Sequence, residues 1–469
     1  MPNIRYVCLS DLHLGQNDGL LTNLSADRST IDVSKPSPVL VSLCQNLREL
    51  IEANSDGAQK PTLILNGDVL EIAFAKMNIA AMAFERFIEL ILPADKEPLF
   101  DRIIFIPGNH DHHCWELARE SYYVAYVDTI PAGKPLNDPW HTTNLFIDKK
   151  KRFLTGYFLT KLIRRYEHLK NFNIEIAYPN LGLTNSDNTQ VALFHHGHYI
   201  ESLYNLMTTL ADLLFPTRNN KPTEIWEIEA ENFAWIDFFW STMGRSGDVG
   251  PLVQRIYNSF GDQKALNKRI AVLVKSVVEK INPLGWDEPY ELVSTKILQA
   301  LLGKALDSER AKSEGTSLSE KNIEGLKKYM EGPLLNQVRS ELSGVSPRYT
   351  FIFGHTHKPF NRCEKYQGFN GNVSLINTGG WVVETIKPSK VHGASAALLD
   401  EELNPVYLHF YTEKDIKVRV ENASVKGAEE LFKHVEAQVK SSNGWKAFST
   451  IVATEITEHE AFLNSKIKE

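Results

Sequence analysis

The 469-residue sequence has few cysteines. There are four, and no two of them form a CxxC pair. This scarcity excludes a disulfide-rich secreted scaffold and a zinc site of the CxxC type. No apolar run is long enough to cross a bilayer, and no charged leader with an apolar signal core precedes the first predicted strand. These absences favour a cytoplasmic protein and leave peripheral membrane contact open.

The chain also lacks an excess of basic residues. Its formal net charge is −7, whereas nucleic-acid-binding proteins tend to be basic. We therefore expect no specific nucleic-acid partner, and the sequence does not indicate an oligomeric state. A chain of this length is too long for one simple core, so we expect several domains or a large insertion.

Five short segments rich in aspartate, histidine and asparagine stand out. Each follows an apolar run that is typical of a buried strand. The segments are Asp11-Leu12-His13, Gly67-Asp68, Gly108-Asn109-His110-Asp111, His195-His196-Gly197-His198 and Gly354-His355-Thr356-His357. Because open α/β sheets place ligand sites past the carboxyl ends of their strands, we expect the segments to meet at such an edge.

The residue types in these segments are those of a metal site. Asp11 and His13 are two positions apart, so both side chains can reach one ion, and His355 and His357 repeat that spacing. Mixed imidazole and carboxylate ligands favour zinc, iron or manganese over calcium. Two such ions form a common site for phosphate-ester displacement, in which Asp68 is the natural bridging carboxylate.

Acid–base groups lie next to these ligands. His110 follows Asn109 and can protonate a leaving oxygen, while Asp111 can accept the other N–H of that ring. His198 could reach the substrate or a water near the metals. Glu71 could contact a histidine of the site or be an ordinary surface acid.

The order of the five segments resembles that of the calcineurin-like metallophosphoesterase family, over about residues 4–198 and 348–412. The resemblance implies an α/β fold, a two-sheet αββα sandwich, with two divalent metal ions (manganese, iron or zinc). In the family the histidine before glycine is the ligand, which selects His196 rather than His195. The implied ligands of one ion are Asp11, His13, Asp68 and His357, and those of the other are Asp68, Asn109, His196 and His355.

Hydrophobic spacing divides the chain around this core. We expect residues 1–198 and 346–415 to form the core, 199–345 a helical insertion, and 416–469 a helical C-terminal tail. The stretch from Gly15 to Pro38 is polar and is expected to be a loop. The insertion leaves after the strand that carries His196 and returns before the strand that carries His355, so it is placed to act as a cap.

The predicted function is hydrolysis of a small phosphodiester or phosphomonoester by a metal-bridging hydroxide, with the leaving group protonated by His110. The alternative is a lipid-linked or nucleotide-sugar pyrophosphatase. The basic and aromatic stretch 149–165 could face an anionic substrate or a lipid surface, although a solvated helix face is the preferred interpretation. Against the lipid alternative, the lipid A precursor branch of the family has arginine where this chain has His110. A non-enzymatic scaffold is less favoured, because such relatives have lost ligand residues and this chain has the complete set.

Overall fold

The computed structural model describes residues 3–150, 153–242, 315–342, 347–383, 388–423 and 429–468. Fifteen strands lie within these ranges. They are β1 (Tyr6–Leu9), β2 (Thr22–Leu24), β3 (Ile31–Pro36), β4 (Thr62–Asn66), β5 (Arg102–Ile106), β6 (Leu154–Thr155), β7 (Ile174–Ile176), β8 (Asn180–Thr184), β9 (Gln190–His195), β10 (Arg348–Phe353), β11 (Phe360–Lys365), β12 (Asn372–Asn377), β13 (Gly393–Leu399), β14 (Pro405–Thr412) and β15 (Arg419–Asn422).

Eleven α-helices lie within the same ranges. They are α1 (Pro38–Ala53), α2 (Met77–Ile91), α3 (His113–Val127), α4 (Ile147–Lys150), α5 (Tyr157–Ile163), α6 (Leu206–Leu214), α7 (Ile225–Ile236), α8 (Glu320–Tyr329), α9 (Leu335–Glu341), α10 (Glu429–Ser441) and α11 (Asn443–Lys468). π-Helical turns extend α7 over Asp237–Thr242 and join α8 to α9 over Met330–Leu334.

Two sheets hold all of these strands except β2 and β3. The first has the order β15-β14-β13-β1-β4-β5-β7-β6, in which β1, β4, β5 and β7 run parallel. The second has the order β11-β12-β10-β9-β8, in which β9, β10 and β12 run parallel. Parallel strands end at one edge, so each sheet has a carboxyl edge at which polar residues can gather.

The sheets form the middle layers of a four-layer sandwich. In β1, Val7 belongs to a core shared with the helices, whereas Cys8 belongs to a core between the sheets. In β9, Leu193 and Phe194 divide in the same way between the second helical layer and the inter-sheet core. Because successive side chains point to opposite faces of a strand, this alternation gives helices on both outer faces. The predicted αββα sandwich is confirmed.

Two local predictions are wrong. The expected loop from Gly15 to Pro38 contains strands β2 and β3, which pair with each other. The expected helical tail, residues 416–469, begins with strand β15, which pairs with β14 in the first sheet. β15 has the sequence RVEN and is half-exposed, so no apolar run marks it. Helices α10 and α11 follow and pack on the outer face of the first sheet through residues such as Val435 and Phe448.

The described part of the insertion is helical. Helices α7, α8 and α9 pack on the outer face of the second sheet. The helices predicted between residues 251 and 310 lie outside the described residues. No helix in the described ranges is long and apolar enough to span a membrane.

Candidate metal centre

The five segments meet where the carboxyl edges of the two sheets come together. In the first sheet, Asp11 follows β1, Asp68 follows β4 and Asn109 follows β5. In the second sheet, His196 follows β9 and His355 follows β10. The site thus forms from loops that leave parallel strands side by side, as expected from the sequence.

Asn66, the last residue of β4, joins the two edges. Its side-chain amide donates to the carbonyl oxygens of His195, at 3.2 Å, and Ile352, at 3.4 Å. Its own carbonyl oxygen lies 3.2 Å from Nδ1 of His196. A carbonyl can only accept, so Nδ1 of His196 carries the hydrogen and Nε2 presents its lone pair to the site. No motif includes Asn66, which ends an apolar strand.

The backbone is strained at the site. The φ angles are +50° at Asp11, +44° at His13, +49° at Asp68, +69° at His355 and +54° at His357. Non-glycine residues seldom adopt this left-handed conformation, because Cβ crowds the backbone. Such strain persists where surrounding contacts fix it and concentrates at functional sites. Its repetition at five site residues therefore supports a functional arrangement.

In three of the five segments a glycine directly precedes the proposed ligand, because atoms of a neighbouring loop lie too close for a Cβ at that position. A Cβ on Gly108 would collide with Oδ1 of Asp68, and a Cβ on Gly354 would collide with Oδ2 of Asp11. In both cases the neighbouring atom belongs to a carboxylate of the site. The glycine in these segments therefore permits close approach between two loops.

Asp11, His13 and His357 form one group of metal-binding atoms. Nε2 of His357 lies 3.3 Å from Oδ1 of Asp11 and 3.1 Å from Nε2 of His13. All three side chains are buried. Their ligand atoms are close enough to hold one metal ion.

Asp68, His196 and His355 form a second group that could hold an ion. Nε2 of His196 lies 3.1 Å from Oδ2 of Asp68 and 3.1 Å from Oδ1 of Asn109. The same Oδ2 of Asp68 lies 3.8 Å from Nε2 of His13 in the first group. Asp68 therefore stands between the two groups, and the other six residues predicted as ligands lie around it.

The hydrogen-bond pattern fits bound cations. Nδ1 of His13 lies 2.9 Å from the carboxylate of Glu71. Because a carboxylate can only accept, Nδ1 carries the hydrogen and Nε2 of His13 presents its lone pair. That lone pair faces His357, just as the lone pair of His196 faces oxygens of Asp68 and Asn109. Hydrogen-bond acceptors that face one another in a buried site need a proton or a cation between them. Imidazole, carboxylate and amide donors of this kind suit zinc, iron or manganese.

The charges of the site favour ionised carboxylates. Burial raises the pKa of Asp68, but His196 and His110 outweigh burial and hold that pKa well below its usual range. Burial lowers the pKa of His196, but Asp68 and Asp11 outweigh it and raise the pKa to about 9. Burial lowers the pKa of His13. The carboxylates therefore attract positive charge to this point, whether a proton or a metal ion.

The ring of His110 pairs with the carboxylate of Glu71. The prediction that Asp111 accepts the other N–H of this ring is therefore wrong. Nδ1 of His110 lies 2.8 Å from Oε2 of Glu71, and the same oxygen lies 2.9 Å from Nδ1 of His13. Glu71 is fully buried. Burial raises its pKa, but His110 and His13 outweigh burial and lower it to about 2. Glu71 is therefore an ionised acceptor that joins the first metal-binding group to the proposed acid.

Asp111 instead ties the backbone of two loops together. Its carboxylate accepts from the backbone N–H groups of Gly108 at 2.7 Å, Val69 at 2.7 Å and Leu70 at 3.1 Å. Burial and the nearby Asp68 raise its pKa to about 7. The adjacent position of Asp111 in the sequence suggested a contact with His110, but its oxygens are directed to main-chain donors.

The remaining histidines of the segments are buried. His195 ends strand β9, and His198 packs against the rings of His195 and His196. Nε2 of His198 lies 3.4 Å from the hydroxyl of Tyr178. His112 directly precedes α3 and is fully buried. The substrate role of His198 stays a prediction.

The insertion contributes side chains around the site that no motif indicated. Oε2 of Glu201 lies 3.6 Å from Nε2 of His355, and the ring of Tyr204 packs edge-on against the same histidine. The ring centroid of Trp240 lies 6.4 Å from that of His110.

Comparison with known families supports the interpretation of the site. Residues 4–219 match the family model of calcineurin-like phosphoesterase. The predicted family is confirmed over that range, which includes the first four segments. The fifth segment, with His355 and His357, lies beyond the match, and the structure brings it to the other four. A comparison with curated proteins finds no matching relative.

Proposed function

We propose, on the premise that residues 4–219 match a calcineurin-like phosphoesterase, that the chain hydrolyses phosphomonoesters or phosphodiesters with two divalent cations. The position of Asp68 supports this most directly, because one of its oxygens lies within 4 Å of ring nitrogens in both ligand groups, at 3.8 Å from His13 and 3.1 Å from His196. The proposed ligands are Asp11, His13, Asp68 and His357 for one ion and Asp68, Asn109, His196 and His355 for the other.

Bound cations would supply charge neutralisation at the phosphoryl oxygens and a water of lowered pKa. The chain's own residues set up this chemistry. Asn66 and Glu71 fix which nitrogens of His196 and His13 face the centre. Burial of the donors excludes bulk water, which strengthens the electrostatic interactions among them.

His110 is the proposed general acid. Glu71 can only accept, so Nδ1 of His110 keeps its hydrogen, and Nε2 carries the proton that passes to the leaving oxygen. The Glu71 carboxylate also stabilises the protonated ring. The substrate is proposed to be a small phosphate ester, in a cytoplasmic setting that the four free cysteines support.

A lipid-linked substrate is the second proposal, supported by the surface around β6 and α5. Phe153 is 44% exposed and Tyr157 is 46% exposed. The guanidinium of Arg102 lies over Phe153, and the amine of Lys161 lies over Tyr157. Cosedimentation with anionic vesicles, weakened by salt and by Phe153→Ser, is the expected result. Absence of binding would remove this proposal without affecting the first.

Metal analysis and turnover test the main proposal together. We expect two metal ions per chain by elemental analysis, and turnover of p-nitrophenyl phosphate or bis-p-nitrophenyl phosphate by the metal-loaded protein. Asp68→Asn should lose both metal and turnover, because it removes the carboxylate that the two groups share. Asp95→Asn, at an exposed position, is the matched control. Full turnover by Asp68→Asn would overturn the assignment.

A further inference from the structure

The loop after β5 is contacted by residues that lie beyond the end of the family match. We call residues 109–113 the acid loop, since they include Asn109, a proposed ligand, and His110, the proposed acid. We call helix α7 with its π-helical turn Asp237–Thr242 the clamp. Every residue of the clamp lies after residue 219, where the family match ends.

Glu229 of the clamp makes the first contact. Its Oε1 lies 2.9 Å from Nε2 of His112, and both residues are fully buried. Its Oε2 accepts from the hydroxyl of Tyr178 at 3.0 Å and also from the hydroxyl of Tyr199. The carboxylate is therefore fixed by three donors from the core and the start of the insertion. A carboxyl group buried in this way stays in place because each oxygen has a hydrogen-bond partner.

The π-helical turn makes three more contacts with the acid loop. The hydroxyl of Ser241 donates to the carbonyl oxygen of Asn109 at 2.8 Å and accepts from the backbone N–H of His113 at 3.2 Å. Oδ1 of Asp237 lies 3.0 Å from Nδ1 of His113. These bonds hold the backbone on both sides of His110. π-Helical turns are rare and often occur at functional sites.

A metal ion is a competing explanation for part of this cluster. Ligand atoms of His112, Glu116 and Glu229 lie close enough together to hold one. Glu116, however, already accepts from Arg119 at 2.6 Å, and both oxygens of Glu229 have donors. An imidazolium at His112 lies within ion-pair distance of Glu229 and Asp237 and offsets part of their charge without a metal. The contacts therefore describe a hydrogen-bonded anchor.

We propose that Glu229 and Ser241 are positioning residues, which hold His110 and Asn109 in their working geometry through His112 and the acid-loop backbone. This proposal rests on the proposed function. It makes the insertion a part of the active site that is needed for proton transfer, rather than a removable cap. General acid catalysis depends on hydrogen-bond geometry at the leaving oxygen, so a small displacement of the acid loop should lower the rate.

The test compares esters whose leaving groups need the acid to different degrees. p-Nitrophenolate leaves with little protonation, whereas an alkoxide needs a proton. In the metal-loaded protein, Glu229→Gln should lower kcat for an alkyl phosphate by about tenfold or more and kcat for the p-nitrophenyl ester by less than about threefold. Ser241→Ala should act in the same direction. With metal supplied in excess, so that a weakened contact to Asn109 does not empty the site, metal content and KM should stay those of the wild type.

Two controls separate positioning from general destabilisation. Glu231→Gln makes the same change on the same helix, where the side chain pairs with Arg218, and should leave the ratio of the two rates unchanged. In a double-mutant cycle, Glu229→Gln should have no further effect on the ratio once His112→Ala is present, because Glu229 acts through the ring of His112. Equal losses with both esters, or additive effects in the cycle, would overturn the proposal.

The outcomes also distinguish this proposal from the proposed function. If the wild type has no metal-dependent turnover of either ester, the phosphoesterase assignment fails. If the wild type turns over both esters and the ratio of rates does not change in Glu229→Gln or Ser241→Ala, the positioning role fails and the assignment stands. A third metal ion in the wild type that Glu229→Gln loses would also overturn the positioning role, in favour of a metal site at His112.

Discussion

Nε2 of His13 lies 3.1 Å from Nε2 of His357, although the two residues are 344 positions apart in the sequence. His13 follows β1 of the first sheet and His357 follows β10 of the second. The second residue lies far beyond the family match, which ends at 219. The first ligand group is therefore complete only when both sheets of the sandwich are in place, which makes metal binding a measure of correct folding.

Loss of His357 should empty one site and spare the other. His357→Ala removes a nitrogen from the first group and leaves Asp68, His196 and His355 unchanged. We expect the metal content after dialysis to fall from about two ions per chain to about one, as measured by elemental analysis. His434→Ala, at an exposed position of α10, should retain both. Two ions in His357→Ala would contradict the grouping.

Metal binding should weaken as the pH falls. In the metal-free protein the pKa of His196 is raised to about 9, because Asp68 and Asp11 outweigh burial. A cation must displace that proton, so its apparent affinity should fall about tenfold for each pH unit below the pKa. Competition with a chromogenic chelator at pH 6, 7 and 8 measures this. An affinity that does not change over that range would show that His196 is not a ligand.

Substitutions of Glu71 and of Asp111 should affect different properties of the protein. Glu71→Gln removes the charge that holds both His13 and His110, so we expect metal affinity to fall about 10- to 100-fold and kcat to fall as well. Asp111→Asn should mainly destabilise the protein, because Asp111 bonds to backbone amides. Chelator titration, steady-state kinetics and melting temperatures measure the three quantities. The reverse pattern would restore Asp111 as the partner of His110.

The residues that the structure brings together as proposed ligands could be predicted because each is part of a short local pattern. An apolar run marks a strand, and the polar residue that follows it lies at the sheet edge, as with Asp68 after β4. The hydrogen-bond partner of His110, in contrast, is distant from it in the sequence. Glu71 lies 39 positions from His110 in the sequence, and the neighbouring Asp111 was the more obvious choice. The backbone amides that take up the oxygens of Asp111 leave no sequence pattern.

The contacts of the clamp could not be predicted for the same reason. Glu229 reaches His112 across 117 positions, and Ser241 reaches Asn109 across 132. A lone glutamate and a lone serine in a helical segment carry no motif. Strands β3 and β15 were missed because most of their residues are polar and half-exposed, and β2 because it is only three residues long, so all three lack the apolar runs that indicate a buried strand.

The His112–Glu229 pair should make stability depend on alkaline pH. Burial lowers the pKa of His112, but Glu229 and Asp237 outweigh it and raise it to about 10, above the value in the unfolded chain. The stabilisation is therefore complete below about pH 6.5 and is lost as the pH rises towards 10. We expect the pair to contribute about 3 kcal/mol less at pH 9.5 than at pH 6.5. Urea unfolding of the wild type and of Glu229→Gln, with a chelator present, measures the free energy of unfolding at each pH. Parallel pH profiles for the two proteins would show that the His112–Glu229 pair does not contribute this pH dependence.

Gly108 should be intolerant of even one methyl group. A Cβ at this position would collide with Oδ1 of Asp68, and the backbone N–H of His110 donates to that same oxygen at 2.8 Å. Gly108→Ala must therefore displace either the proposed bridging carboxylate or the acid loop. We expect it to lose metal and turnover while the far-ultraviolet circular dichroism spectrum stays that of the wild type. Gly332→Ala, where a Cβ meets no atom within 4 Å, is the control and should keep both metal and turnover. Normal metal content in Gly108→Ala would show that Asp68 can move without loss of the site, which would contradict its role between the two groups.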